Sequence, residues 1–241
     1  MQNENDFILA AGANDLERLN HLMDMEEAQT PDTKSGTAAR KLASLEAIRC
    51  DCPEALALLY KRGCQFNTGK HLTQFFHGTA YDMVQFLLSW GADPNESYCP
   101  WPVWTALEGA AALHSIPVIE ALIDAGAELK NRRVLARAAG KGRLDVMRYL
   151  LDRGAPIDGV GTNPRLFNEE KNIFYYDEIV FRSALCEAAF YGQAEAVEFV
   201  LQRGADLSIK DTDGKSAVEL AEMKGHKDCL DILRRYQEAK K

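Results

Sequence analysis

The chain has 241 residues, 46% of them hydrophobic, enough for a sizeable core and for one or two ordinary domains. Its 36 acidic and 28 basic residues leave a net charge of −8, which argues against nucleic acid or an anionic membrane as partner and keeps the chain soluble. No apolar run reaches the ~18 residues of a membrane span. The six cysteines show no paired zinc spacing, since Cys50-x-Cys52 is too tight and no histidine cluster completes it. They read as reduced thiols of a cytoplasmic protein, with the nucleus also open and with no metal or cofactor expected.

Phe7 to Ala13 is apolar, but Glu4 and Asp6 stand where a signal peptide would be basic, so it reads as a first helix. Asp15 is placed to cap a second helix, Leu16 to Met23. The polar stretch from Asp24 to about Ala39, with Thr30-Pro31-Asp32 and Ser35-Gly36, reads as a mobile connection. A helix-stop marker then recurs: Gly63-Cys64, Gly91-Ala92, Gly126-Ala127, Gly154-Ala155 and Gly204-Ala205. An apolar pair precedes each one, Leu59-Tyr60, Leu87-Leu88, Leu122-Ile123, Leu150-Leu151 and Val200-Leu201, and is expected to bury.

Ahead of Thr105, a loop carries Tyr98, Trp101 and Trp104 between prolines. Between Ala155 and Ser183 the chain has about 17 residues more than the other steps, the kind of insertion that maps to one face of a repeat array. There Leu166-Phe167, Phe174-Tyr175-Tyr176 and Ile179-Val180-Phe181 flank a polar run, which predicts an extended hairpin. Ser183 to Gly192 is a short helix with Ala184, Ala188 and Ala189 on one face, and Gln193 to Arg203 follows with Ala196, Val197, Val200 and Leu201 at helical spacing. Ser216 and Gly225 repeat Ser183 and Gly192 at a distance of 33 residues. The chain closes on Arg234-Arg235-Tyr236-Gln237-Glu238, polar enough to cap an open end.

A period of that length marks stacked repeats. Ser216-Ala217-Val218-Glu219-Leu220-Ala221, then Gly225-His226, with Asp211-x-x-Gly214 as the turn before it, resembles the ankyrin repeat. The resemblance implies an all-α, helix-turn-helix solenoid of about seven repeats forming one domain over 1–241. Within it, 1–30 would be an N-terminal cap repeat, 156–182 would hold a hairpin insertion between repeats five and six, and 211–241 would be the C-terminal cap. The family's helix-separating glycine falls at Asn14, Asp51, Thr79, His114, Gly142, Gly192 and Gly225. Repeats two and three depart most: Ser44 replaces a leucine and Phe75-Phe76 a small pair, which leaves their register open.

The resemblance also implies which side chains point into the concave groove. They are Glu46, Gln74, Arg137 and Glu187 in one row, and Arg49, His77, Lys141, Phe190 and Tyr191 in the next. A buried unpaired carboxylate is very costly, so Glu46 and Glu187 must be wet, paired or ligand-facing. Arg137 and Glu187 sit at equivalent positions in adjacent repeats, where they either bridge the repeats or line a polar groove. Trp101, Trp104, Tyr175 and Tyr176 add aromatic contact area. These features point to a protein-binding module that holds a partner in its groove and hairpin loops. The alternative is a small-molecule binder or an unconventional enzyme in the same groove, roofed by 158–181. Glu187 or His77 would then serve as acid or base and Arg137 would hold an anionic group. No hydrolase elbow, phosphate loop, dinucleotide fingerprint or zinc-protease motif occurs. His226 is expected to be structural.

Overall fold

A computed structural model describes residues 2–29, 38–64, 81–96, 105–130, 133–160 and 182–239. Among them are thirteen α-helices, and the β-pairing is a lone antiparallel bridge between Lys210 and Ser216. In chain order the helices are α1 (Gln2–Gly12), α2 (Leu16–Gln29), α3 (Ala38–Arg49), α4 (Pro53–Lys61), α5 (Tyr81–Ser89), α6 (Ala106–Leu113) and α7 (Ile116–Asp124). They continue with α8 (Val134–Gly140), α9 (Leu144–Asp152), α10 (Ala184–Phe190), α11 (Ala194–Gln202), α12 (Ala217–Lys224) and α13 (Lys227–Ala239). No described helix is long and apolar enough to cross a membrane.

Two kinds of helix alternate, and the sequence says why. The first of each pair carries alanines on its buried side and, α3 apart, is the shorter; α6 buries Ala106, Ala110, Ala111 and Ala112, and α10 buries Ala184, Ala188 and Ala189. Small side chains let neighbouring backbones approach closely, while larger residues fill the second helices, such as Val146, Met147 and Leu150 of α9. Side-chain caps set the starts of α2, α6, α10 and α12. Asp15 accepts from the Arg18 amide, Ser183 accepts from that of Cys186, and Thr105 with Glu108 and Ser216 with Glu219 form capping boxes.

Stops fall at left-handed residues. Gly142, Gly192 and Gly225 have positive φ between paired helices, as do Gly63, Gly91, Gly126, Gly154 and Gly204 after the second ones. Asn14 (φ 54°) and Asp51 (φ 56°) take the same conformation, which short polar side chains tolerate. His114 departs from that expectation: α6 runs on to Leu113 and His114 is extended, φ −106° and ψ 169°.

The chain divides into two compact units, Met1–Ala127 and Glu128–Lys241. In the first, α1 packs on α3, α2 on α4, α4 on α5 and α5 on α7. In the second, α8, α10 and α12 form an inner row and α9, α11 and α13 an outer row, each helix packed on the next. Six helix pairs are described in all. α5 is followed by the Gly91-Ala92 marker and so reads as the second helix of a further pair, whose first helix is expected outside the described residues.

The expected connection from Asp24 needs correcting. α2 continues to Gln29 because its last turns are held by charge. Arg40 is buried and bonds Glu26 at 2.5 Å, Glu27 at 3.0 Å and the Arg62 carbonyl at 3.1 Å. Arg62 in turn bonds Asn20, Asp24 and Glu27. Both arginines hold Glu27 below its usual carboxylate range, Arg62 more strongly. α1 likewise starts earlier than Phe7. Residues 30–37 and the predicted hairpin over 161–181 lie outside the described residues.

Candidate functional site

The inner row of the second unit gathers most of the described groove residues. Glu187 of α10 is 6% exposed, and its two oxygens face two guanidinium groups. Arg137 Nη1, from α8, lies 3.7 Å from Oε1, and Arg182 Nη1 donates to Oε2 at 3.4 Å. Arg182 Nε also faces Asp211 Oδ2 at 3.4 Å. The other Asp211 oxygen accepts from the amides of Asp213 and Lys215, so that carboxylate ties the turn ahead of α12. Two cations and two carboxylates thus balance across three consecutive repeats. The bridge that the sequence left open between Arg137 and Glu187 is present, with Arg182 as its third member.

Room for Glu187 comes from a glycine. A β-carbon on Gly140 would sit 2.8 Å from Glu187 Cγ and 3.0 Å from Tyr191 Cδ2. The first unit repeats the device, because a β-carbon on Gly12 would meet Glu46 Cγ at 3.0 Å. Glu46 is held by Arg49 through two hydrogen bonds, 2.5 and 2.9 Å, and that pairing draws its carboxyl below the usual range. Burial and the nearby Glu46 charge push the Cys50 thiol up, and burial raises Cys52, Cys64, Cys186 and Cys229 as well, which makes all five poor nucleophiles at neutral pH.

Beside Glu187 lies an aromatic step. The Phe190 ring meets two cations, the Arg182 guanidinium 3.9 Å from its centre and the Lys224 ammonium at 4.4 Å. Tyr191 meets it edge-on at 5.0 Å and is itself 50% exposed. Lys141, Tyr191 and Lys224 each precede the left-handed glycine of their repeat, so they occupy one register position along α8, α10 and α12. Arg182, Asp211, Met223 and Lys224 were not among the sequence candidates. The repeat ruler could have found Lys224 and Met223, which align with Tyr191 and Phe190. Nothing in the periodicity marks Arg182, which lies ahead of its helix.

Glu46 and Arg49 stand in the first unit, and Arg137, Lys141, Glu187, Phe190 and Tyr191 in the second. Gln74, His77, Trp101, Trp104, Tyr175 and Tyr176 lie outside the described residues, as does most of the 158–181 roof. Among the described residues, two open grooves of the first unit lie between second helices: about 410 Å³ between α4 and α5, and about 510 Å³ between α2 and α4. Neither is lined by the groove-row residues. His226 is structural as expected, its ring Nε2 3.1 Å from the Phe190 carbonyl and its imidazole packed against Gly192.

The family model for the ankyrin repeat matches residues 182–212. The chain is 30% identical over 132 residues to the ankyrin repeat and KH domain-containing protein mask-1 of Caenorhabditis elegans, covering 53% of this chain and 4% of that protein. It is 31% identical over 112 residues to a putative ankyrin repeat-containing protein of Treponema pallidum, 44% of this chain and 32% of that one. It is also 30% identical over 157 residues to the ankyrin repeat and SAM domain-containing protein 6 of Danio rerio, 62% of this chain and 19% of that one. The chain therefore spans at most about a third of the length of these relatives.

Proposed function

We propose that this chain, which belongs to the ankyrin-repeat family, is a protein-binding module whose contact surface includes the inner-helix row of its second unit. Ankyrin repeats are in general interaction modules, and the observation that carries the reading here is the exposure pattern of that row. Tyr191 and Met223 are half-exposed, 50% and 52%, at the ends of the inner helices of neighbouring repeats, Met223 in the register of Phe190, where a folded chain gains nothing by leaving them wet. Tyrosine and methionine supply contact area at low entropic cost or with adaptable shape. The charges beneath them, Arg137, Glu187, Arg182 and Asp211, tie the inner helices of neighbouring repeats together, which favours a preformed surface.

The rival reading as an enzyme or small-molecule binder draws no specific support from the described residues. Of its candidates, Glu187 as acid or base and Arg137 as anion holder are each engaged in the ion-pair network, and His77, the other acid–base candidate, lies outside the described residues. The test is a photo-crosslinking amino acid placed at Tyr191, and in a control at Glu195 on the exposed side of α11. Position 191 should trap a discrete partner from the native cell, and position 195 should not. Equal trapping at both, or none at 191, overturns the reading.

A further inference from the structure

We infer that the partner surface that docks on this row is an acidic segment carrying an aromatic or large apolar anchor, an inference that rests on the protein-binding reading above. The charge on the row is opposite to that of the whole chain. Although the net charge is −8, the ladder Lys141, Tyr191, Lys224 presents two exposed ammonium groups around a half-exposed ring. Among the described residues neither lysine is paired with a carboxylate; Lys224 rests on the Phe190 ring instead. The nearby acids are already spoken for. Glu187 and Asp211 are buried 94% and 95% of the way and face Arg137 and Arg182, while Glu222 pairs with Arg234 at 2.8 Å.

Geometry limits what fits. Packed helices lie about 8–10 Å apart, so Lys141 and Lys224, two helix steps apart, are roughly 20 Å from each other. An extended strand rises ~3.3 Å per residue, so about six residues separate two acidic groups that meet both lysines. Between them, the Tyr191 ring offers an apolar seat beside the Phe190 step, with the half-exposed Met223 next to Lys224 on α12. Carboxylates steered by the lysines and an anchor on the rings divide the work as interfaces usually do, charge for approach and register, apolar burial for residence. A uniform polyanion such as single-stranded DNA matches the lysines only and leaves the apolar seat unfilled.

The experiment is a selection of random peptides of about a dozen residues on the full chain, long enough to span the row extended. Selected peptides are then rebound to Tyr191→Ser and to Lys141→Glu/Lys224→Glu. Peptides that need Tyr191 should be rich in Asp and Glu around one aromatic or Leu. They should lose roughly tenfold or more in affinity on the double charge reversal and weaken further at high salt. Selection of basic or uncharged peptides that still need Tyr191, or acidic ones that ignore the double reversal, overturns this inference and leaves the binding reading standing. If no selected peptide depends on Tyr191, the binding reading itself falls. Single-stranded DNA of matching length is the last arm; equal affinity with the same lysine dependence would show a polyanion site rather than a peptide one. Lys141→Glu alone, at an exposed side chain, repeats the charge test should the double variant melt below the wild type.

Discussion

At the residue scale, two backbone positions carry more of the fold than their side chains suggest. Asn14 is left-handed and reaches across to the next repeat, where its Oδ1 accepts from the Ala55 amide and its Nδ2 donates to Glu54. It caps α4 from outside, since Cys52 at that helix's N-cap makes no side-chain cap bond. Asp51 does the same for α5 through the Met83 amide. Asn14→Gly keeps the backbone conformation and loses the cap, so it should cost about 1 kcal/mol; Asn14→Ala adds left-handed strain and should cost about 1 kcal/mol more. Urea titration of the pair checks the order; equal losses would mean the left-handed strain is worth nothing, and an unchanged Asn14→Gly would mean the same of the cap. Gly140→Ala sets two effects against each other. Alanine favours a helix by about 1 kcal/mol, but its methyl would press on Glu187 Cγ, which two arginines hold in place. Overpacking of 1–3 kcal/mol is the usual cost, so the variant should be less stable by up to about 2 kcal/mol. A stabilised Gly140→Ala would show that Glu187 can move. The repeat pattern in the sequence marks the left-handed sites. It does not mark Gly140, because a close approach depends on the neighbouring repeat's side chain and not on local spacing.

At the element scale, helix pairs and their stops were legible because each rests on local signals, caps at Asp15, Thr105, Ser183 and Ser216 and turn glycines at fixed offsets. The end of α2 was not legible. A run such as Asp24-Met25-Glu26-Glu27 reads as solvent-exposed linker unless one knows that Arg40 and Arg62, far along the chain, close on it. That clamp predicts a pH response. The Glu27 carboxyl titrates below its ordinary 4.5 in the folded chain because Arg62 and Arg40 favour its charged form. Such a group contributes stability above its unfolded value, and the contribution is lost as pH falls through the folded one. Glu46, lowered by Arg49, and Glu219, lowered by its bonds to Ser216, act in the same direction. Asp51 opposes them: burial raises its folded value above 3.8, so its charged form costs stability that acid returns. Three carboxyls against one set the sign, and the thermal midpoint should fall as pH drops below about 4.5. Glu27→Gln should have a shallower acid slope than wild type at unchanged slope above pH 6. Parallel acid slopes would remove the clamp from the explanation.

For the whole molecule, the repeats make stability a matter of neighbours. Each inner or outer helix buries its apolar side against the next one along, so loss in one place is felt first by adjacent helices within its unit. Leu150 is the test position, fully buried at the end of α9. Of the apolar pair expected to bury, it is the first member that does, while Leu151 is half-buried and Tyr60 of the equivalent pair is exposed. Leu150→Ala should cost about 2–5 kcal/mol, the transfer of the lost methyl groups plus a cavity that packed helices close only in part. The prediction is local as well as global. Hydrogen exchange should quicken most in α8 to α11, the helices packed on α9 or one step removed. Amides of α3 and α4, which belong to the other compact unit, should change least. Uniform loss of protection along the chain would mean that the array unfolds as one all-or-none body. An unchanged thermal midpoint would mean that α9 does not depend on Leu150. In either case nearest-neighbour packing would no longer account for how this chain holds its inner-helix row in shape.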